Sequence, residues 1–322
     1  MATRPNLWKK LLPLLASAAL VAFIIWNVSP TALLRALGEL NWAVLLPLTF
    51  AFLFAAYLWD SFTLLVLFRE NGDRLRYRDV LRARGMSYAM SVVNFGLGQG
   101  HLAWLIARAQ NQSVLTTLAR CFMLIYIDLY VLLSLALAGS MLSEHPRAWG
   151  IAVFCGGGLL GLVSVTLFAY SLPEALVERL RQTAWGRWLP MRTWRWKRFG
   201  ELVLLRTGYF GLDMVYVAVG LWLIGVHVDL MLALSAVPVV ALVDGLPITV
   251  SGLGTREATL LILLDPDQRA LVLAFCLTWT ACTMITRGLI GAVHLWMAGH
   301  SRSRVSPEPA PAACREAYQH EP

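Results

Sequence analysis

The chain has 322 residues, of which 58% are apolar and 14% charged, with a formal net charge of +8 and a mean hydropathy of +0.63. Soluble globular domains carry about 25% charged and about 45–50% apolar residues, so this composition excludes a mainly soluble protein. A nucleic-acid partner is not expected either, because most Lys and Arg residues lie in short segments beside apolar stretches, as in membrane proteins.

Six apolar stretches are long enough to cross a bilayer core, which needs roughly 18 or more such residues. They are about 11–28, 43–68, 121–142, 149–171, 201–225 and 270–297. The first stretch follows a basic start with Arg4, Lys9 and Lys10, which resembles a signal peptide. Its apolar run is longer than the 7–15 residues typical of a signal peptide, so a retained first span is favoured.

Two further apolar segments, 85–107 and 230–264, are interrupted by glycine and proline. The positive-inside rule places the Arg-rich loop 69–84 and the basic loop 172–200 in the cytoplasm. Both loops can lie there only if 85–107 enters and leaves from the inner face, and the same argument makes 230–264 enter and leave from the outer face. The sequence therefore predicts an all-α, multi-pass protein of the bacterial inner membrane, with six spans, two re-entrant hairpins and both termini cytoplasmic.

The predicted membrane domain, residues 1–300, divides into two half-repeats at 1–147 and 148–300. Each half has two spans, a hairpin and a third span, and the hairpins open to opposite sides. The hairpin tips share Gly-Leu-Gly, within Phe-Gly-Leu-Gly-Gln-Gly-His at 95–101 and Ser-Gly-Leu-Gly-Thr-Arg-Glu at 251–257. Inverted repeats with broken helices at corresponding positions are typical of transporters, so a transporter-like fold is predicted.

Two polar segments complete the predicted organisation. Loop 172–200 mixes Trp with Arg and Lys, which occurs in nucleic-acid-binding segments, but its place between two spans favours an amphipathic helix on the inner leaflet. The tail 301–322 contains several prolines and is too polar to be buried, so a disordered cytoplasmic tail is predicted.

The second hairpin carries the most informative motif of the chain. Pro247 and the two glycines at its tip break a helix at a depth where lipid cannot satisfy the freed backbone groups, so this break should be buried or line a wet cavity. The helix that follows would present free N–H groups to an anion, and Arg256 adds a charge suited to phosphate. The alternative is an ion pair between Arg256 and its neighbour that only closes the turn. The candidate lipid- or anion-binding residues are Ser251, Gly252, Gly254, Thr255, Arg256 and Glu257.

Other charged residues fall inside the apolar segments, where each should face a partner or a cavity because a charge at mid-bilayer costs about 2.5–3.5 kcal/mol. These intramembrane polar residues are Asp60, Asp128, Asp213, Asp244 and Arg287. Arg287 requires an anion, and Glu257, Asp244 and Asp213 are the candidates. For any single Asp, a structural ion pair and a proton or substrate role both stay open.

The first hairpin tip provides a second candidate site, formed by Gly96, Gly98, Gly100 and His101. His101 is a candidate ligand or proton relay, although a hydrogen-bonded structural histidine is favoured, as it is for His227 and His294. No catalytic motif, metal-binding spacing or cofactor fingerprint is present, so no catalytic residue, metal or cofactor is predicted. The cysteines have no paired spacing and are interpreted as packing residues; they are Cys121, Cys155, Cys276, Cys282 and Cys314.

The segment from Pro247 to Glu257 resembles the signature of the flippase-like transmembrane domain of lysylphosphatidylglycerol synthases, which also occurs in stand-alone bacterial and archaeal membrane proteins. The resemblance covers essentially 1–300. No aminoacyl-transferase domain follows, so the synthesis reaction of that family is not expected of this chain.

Two other motifs of that family differ in this chain. In the first hairpin, Gly96-Leu97, Gly100-His101 and Trp104 stand where the family has Pro-Gly, Gly-Glu and Arg. In the third span, Leu124 and Ile125 replace a Glu-Arg pair before a retained Asp128.

The resemblance implies a lipid flippase or lipid-handling protein that acts on an anionic or isoprenoid-type lipid, with the hairpin tips meeting near the membrane midplane. It also implies membrane lipids and lipid-biosynthesis enzymes, including those of hopanoid pathways, as partners. The alternative is a membrane-embedded transferase, or an accessory subunit of a lipid or glycolipid biosynthesis enzyme. A cytoplasmic nucleotide-sugar or metal motif would favour that alternative, and none is found in the sequence.

Overall fold

The protein is described by a computed structural model, which covers Ala22 and residues 28–69, 75–93, 95–171, 196–226, 229–245, 254–264 and 268–303. The described residues form helices and connecting turns, without a β-strand. The helices are α1 (Pro30–Glu39), α2 (Trp42–Phe68), α3 (Tyr77–Val93), α4 (Phe95–Gln110), α5 (Val114–Leu142), α6 (Pro146–Ser171), α7 (Trp196–Leu223), α8 (Leu230–Asp244), α9 (Thr255–Leu264) and α10 (Arg269–Ser303).

Five of these helices are long and apolar enough to cross a membrane, namely α2, α5, α6, α7 and α10. They correspond to the predicted second to sixth spans, so the prediction of an all-α, multi-pass membrane protein is confirmed. The predicted first span at 11–28 lies almost wholly outside the described residues, as do loop 172–195 and the tail from 304 onwards.

Two helical segments were predicted as loops. Helix α3 begins at Tyr77, so Arg78, Arg82 and Arg84 belong to a helix and not to loop 69–84. Arg and Leu are good helix formers, and a basic segment is therefore not by itself a loop. Helix α1 occupies the predicted outer loop after the first span; Ser29 accepts a hydrogen bond from the Ala32 N–H at its start, where Pro30 is tolerated.

The two segments predicted as hairpins form pairs of shorter helices, α3 with α4 and α8 with α9, which pack against each other; their re-entrant course stays a prediction. In the second pair the helices are separated by residues 246–253, which lie outside the described part. In the first pair the tip glycines lie inside α4 rather than in the turn. A Cβ at Gly98 would come within 1.9 Å of the Ser91 hydroxyl oxygen, so this glycine allows the two helices to approach closely.

The two halves exchange contacts in a reciprocal way. The last long helix of the first half, α5, packs along α8 of the second half, and α10 packs along α3 of the first half. Small residues permit both crossings: a Cβ at Gly139 would lie 3.0 Å from the Ser235 backbone nitrogen, and one at Gly291 would lie 2.7 Å from the Ala89 backbone nitrogen. Close approach at small residues is the usual way in which helices associate in lipid. An inverted repeat requires such reciprocal packing, although the symmetry itself stays a prediction.

The largest buried cluster contains a group of aromatic rings from α2, α7 and α10. Phe52 and Tyr216 stack with ring centroids 4.2 Å apart, and Trp279 packs edge-on against Tyr216 at 5.3 Å. The Tyr216 hydroxyl also shares a hydrogen bond with Thr49 at 2.9 Å. This cluster also contacts the second hairpin, because the Arg256 guanidinium lies over the Trp279 ring.

Candidate functional site

Glu257 closes the start of α9. Its carboxylate accepts a hydrogen bond from the Gly254 backbone N–H at 2.8 Å and another from the Thr280 hydroxyl at 2.8 Å, and the side chain is fully buried. Gly254 has a φ of 90°, a conformation that favours glycine. A glutamate that bonds back to the backbone N–H three residues earlier is one half of a capping box. Glu257 therefore starts α9 and ties it to α10.

Arg256 joins the two helices of the second hairpin. Its Nε and Nη2 atoms donate to Oδ2 of Asp244 at 2.9 and 2.6 Å. Asp244 is the last residue of α8. The face of its guanidinium lies 4.0 Å from the centroid of the Trp279 ring. The alternative reading of an Arg256–Glu257 pair is thus not what the structure shows, because neighbours on a helix point about 100° apart and here reach different partners.

The remaining residues of the predicted motif are partly described. Thr255 donates from its hydroxyl to Asp244 Oδ1 at 3.3 Å and is buried. Ser251 and Gly252 lie outside the described residues. The structure therefore brings Gly254, Thr255, Arg256 and Glu257 together with Asp244, a residue that the sequence placed in a separate group.

A cavity of about 80 Å³ lies next to this motif, between α2, α3, α7, α9 and α10. Since a buried water needs about 10–15 Å³ of such space, the cavity has room for several waters or for a small polar group. The charged residues that line it are Asp213, Arg256 and Arg287. Four residues with hydroxyl groups also line it: Tyr88, Tyr209, Thr283 and Thr286. Both halves of the chain contribute to this cavity.

Arg287 forms no close ion pair with the partners that the sequence led us to expect, although Asp213 lines the same cavity and interacts with it electrostatically. Among the residues that the structure describes, neither Glu257, Asp244 nor Asp213 forms an ion pair with it. Its guanidinium instead lies 5.6 Å from the centroid of the Tyr88 ring. Asp213 likewise has no hydrogen bond or ion pair with any described residue.

Asp60 and Asp128 belong to a separate buried cluster, which we call the four-charge cluster and which also contains Arg84 and Arg206. Arg206 donates to both carboxylates, reaching Asp60 Oδ1 at 2.8 Å and Asp128 Oδ2 at 2.6 Å. Arg84 lies against the other oxygen of Asp60 at 2.6 Å. The cluster connects α2, α3, α5 and α7, and its charges balance.

Sequence reasoning missed the roles of Arg84 and Arg206. A useful signal was present, because two aspartates at membrane depth require two cations, and Arg206 lies inside the predicted fifth span. The sequence analysis places Arg84 in loop 69–84, so Arg84 is not counted among the cations at membrane depth.

The first hairpin tip does not line the cavity. Gly96, Gly98, Gly100 and His101 are not among its lining residues, and the first hairpin reaches the cavity through Tyr88 of α3. The His101 ring lies 5.8 Å from that of Trp104, and its Nε2 atom is buried without a partner among the described residues. Residues 246–253 of the second hairpin lie outside the described residues, so the meeting of the two hairpin tips stays a prediction.

The remaining histidines and cysteines named in the sequence analysis lie in packed parts of the structure or outside the described residues. His294 bonds through Nδ1 to the Ile290 carbonyl at 2.8 Å and lies 3.4 Å from the Tyr57 hydroxyl. Cys121, Cys155, Cys276 and Cys282 are buried and unpaired, as expected of packing residues. His227 and Cys314 lie outside the described part. Within that part, no group of three or more His, Cys, Asp or Glu residues is arranged to hold a metal ion.

A family model described as "Lysylphosphatidylglycerol synthase TM region" matches residues 10–291. No match is found among curated proteins or among solved structures.

Proposed function

The chain belongs to the lysylphosphatidylglycerol synthase TM region family, whose membership points to membrane lipid handling, and we propose that it moves an anionic or isoprenoid-type lipid between leaflets. The proposal includes association with lipid-biosynthesis enzymes, among them those of hopanoid pathways. It also includes an inner-membrane location with both termini in the cytoplasm.

The observation that carries this proposal is the cavity beside the second hairpin. Two arginines and an aspartate line it at membrane depth, in a bundle whose outer surface is apolar. Charged groups are costly at that depth and are usually kept where a substrate or ion passes. The walls come from α2 and α3 of one half and from α7, α9 and α10 of the other.

The reciprocal packing of the two halves supports a transport role over simple binding. Transporters with inverted repeats place their substrate site between the repeats and expose it alternately to either side. Relative movement of α2 and α3 of the first half against α7 and α9 of the second half would open this cavity towards one leaflet or the other.

A reconstituted system tests the proposal directly. The purified protein is placed in vesicles that contain trace fluorescent phosphatidylglycerol or a fluorescent polyprenyl phosphate, and an impermeant quencher reports label that reaches the outer leaflet. We expect protein-dependent exposure of one of these lipids. Vesicles in which both lipids stay as protected as in protein-free vesicles would contradict the proposal.

Arg256 provides the first mutational test. Arg256→Ala should abolish transport, because it removes a cation from the low-dielectric cavity and leaves Asp244 uncompensated. Arg256→Lys should restore only part of the rate, since an ammonium keeps the charge but lacks the planar fork that grips one carboxylate with two N–H groups. The rates are measured in the vesicle assay.

Arg35→Ala is the matched control, because Arg35 is exposed on α1 and such charges contribute little. Transport by Arg256→Ala at the wild-type rate would show that the motif is not part of the site. Loss of the protein itself on immunoblots would show instead that the Arg256–Asp244 bonds serve folding.

A further inference from the structure

We propose that the four-charge cluster is an ionic gate between the cavity and the end of the bundle at which α2 ends and α3, α5 and α7 begin, which we call the inner end. This inference rests on the proposed function and assigns the residues that control access to the cavity. In it, access from the inner end requires Arg206 to leave Asp60 and Asp128.

The first step is the position of the cluster relative to the cavity. On α3, Arg84 lies one helical turn nearer to the inner end than Tyr88, which lines the cavity. On α7, Arg206 lies about one turn nearer to that end than Tyr209, which also lines it. On α2, Asp60 lies one turn beyond the last residue of that helix that lines the cavity. Three helices thus place a charge of the cluster on the same side of the cavity.

The second step is that the cluster joins the two halves of the chain. Arg206 belongs to the second half, and it donates to Asp60 at 2.8 Å and to Asp128 at 2.6 Å, both in the first half. Its Nε atom also donates to Asp128, so this pair is bidentate. Arg84 and Asp60 both belong to the first half and lie 2.6 Å apart. Separation of the halves at this depth therefore breaks the bonds of Arg206 and leaves Arg84 paired with Asp60.

The third step is the contact between the cluster and the cavity. The Arg84 guanidinium lies 5.0 Å from the centroid of the Tyr88 ring, and the Arg206 guanidinium lies 4.6 Å from that of the Tyr209 ring. Both rings also line the cavity. A group that enters the cavity and displaces either ring would therefore displace an arginine of the cluster as well.

The fourth step is the kind of contact that can open. A buried ion pair contributes little net stability, because desolvation offsets the attraction, and water that enters on opening solvates both charges again. The halves also meet nearer to the inner end at the crossing of α3 and α10, where a Cβ at Gly85 would lie 2.6 Å from His294 Nδ1 and one at Gly291 would lie 2.7 Å from the Ala89 nitrogen. Such close packing has no charge for water to solvate. We therefore expect α3 and α10 to stay packed while α7 moves away from α2 and α5.

Cysteine labelling of the cavity tests the gate. Thr283, which lines the cavity, is replaced by cysteine in the full chain after the five native cysteines have been changed to alanine. A small impermeant methanethiosulfonate is added to one face at a time, in spheroplasts and in inside-out vesicles, and the labelling rate is measured by mass spectrometry. A separate Trp185→Cys reporter identifies the face at the inner end, because residue 185 belongs to the segment that leads into the start of α7.

Two variants should change the labelling rate in opposite directions. Asp128→Asn leaves Arg206 with Asp60 alone, so labelling from the inner end should be about tenfold faster, as expected for losing hydrogen bonds between charged groups. Labelling from the other face should not change. The double variant Arg206→Met with Asp128→Leu replaces the pair by an apolar contact that water does not solvate. It should be labelled more slowly than the wild type from the inner end, and it should not transport.

Glu201→Gln is the matched control. It breaks an ion pair with Arg198, 3.3 Å long, which lies within α7 near the inner end and does not join the two halves. Because such partly exposed pairs contribute little, this variant should be labelled at the wild-type rate from both faces.

Several outcomes would overturn the gate. Asp128→Asn labelled at the wild-type rate from the inner end would do so, as would equal acceleration from both faces, which indicates a purely structural ion pair. A double variant labelled as fast as the wild type would also do so. If Asp128→Asn is not recovered in the membrane, Arg206→Lys decides, because it keeps the charge but loses the bidentate grip on Asp128. An unchanged labelling rate in that variant would count against the gate.

These results can be separated from the fate of the proposed function. The expected labelling changes without lipid movement in the vesicle assay would retain the gate and reject a lipid as the transported molecule. Lipid movement by the double variant at the wild-type rate would retain the proposed function and reject the gate.

Discussion

The four-charge cluster illustrates how single residues determine whether this bundle is stable. Arg206 is only 6% exposed and contacts both Asp60 and Asp128, while Asp60 is the one carboxylate of the cluster that Arg84 contacts. Buried ion pairs contribute little net stability, because desolvation offsets their attraction, but a buried charge that has lost its partner is strongly destabilising. Replacing one charged residue of a pair in this cluster should therefore destabilise the protein more than replacing both residues of that pair.

We predict that Arg206→Met lowers the free energy of unfolding by about 3–5 kcal/mol. Asp128 loses its arginine, whereas Asp60 keeps Arg84. The double variant Arg206→Met with Asp128→Leu should recover part of this loss, because it removes the uncompensated charge. Thermal unfolding in detergent can be followed with a thiol-reactive dye, since four cysteines in the described residues are buried and free.

The stabilities of the single and double variants can also contradict this prediction. A double variant no more stable than Arg206→Met would show that Asp128 is not the group left uncompensated. A double variant that regains stability but fails in the transport assay would assign the Arg206–Asp128 pair a role in transport.

At the scale of the helices, small residues and helix caps determine where two helices cross. Asp229 starts α8 by accepting hydrogen bonds from the Met231 and Leu232 N–H groups. The Ser143 hydroxyl, at the end of α5, also donates to this carboxylate, and these bonds hold the pKa of Asp229 below its usual range. The cap thus fixes α8 to α5 at the end where their close packing begins.

Gly291 and Gly288 on α10 offer a matched pair of substitutions. A Cβ at Gly291 would lie 2.7 Å from the Ala89 backbone nitrogen, which cannot move without displacing α3, whereas a Cβ at Gly288 meets nothing within 4 Å. Gly291→Ala should therefore cost about 1–3 kcal/mol through overpacking. Gly288→Ala should be neutral or stabilising, because alanine favours a helix over glycine by about 1 kcal/mol.

The melting temperatures of the two variants in detergent check this prediction. Equal melting temperatures for Gly291→Ala and the wild type would show that α3 and α10 do not cross as closely as the structure indicates.

At the scale of the whole molecule, the arrangement of helices agrees with the charge of the loops. In each described half a pair of short helices lies between two long helices, α3 and α4 between α2 and α5, and α8 and α9 between α7 and α10. With two re-entrant hairpins, the basic loops 69–76 and 172–195 come to lie on the same side of the membrane, as the positive-inside rule requires. The sidedness is a prediction that labelling can test.

Cysteine accessibility in intact cells tests this topology. In a background without Cys314, a cysteine replacing Trp185 should react with an impermeant thiol reagent only after permeabilisation, because the positive-inside rule predicts that residue 185 is cytoplasmic. A cysteine replacing Arg147, which is exposed at the start of α6, should react in intact cells. Labelling of position 185 from outside would show that 85–107 crosses the membrane.

The sequence alone determined the membrane class, five of the long helices and the place of the break before Arg256. These are local properties: a span requires a run of apolar residues as long as the bilayer core, and proline and glycine interrupt a helix wherever they occur. The family signature at the second hairpin was recognisable for the same reason, since its residues are contiguous.

Only the tertiary structure decided which charges meet. Arg206 pairs with Asp60, 146 residues away in the chain, and Arg256 turns to Asp244 rather than to its neighbour Glu257. It also showed that Arg287 and Asp213 share a cavity without bonding to each other. In lipid, the faces that contact other helices and the faces that contact the bilayer are both apolar, so hydropathy carries no signal of which faces will pack together.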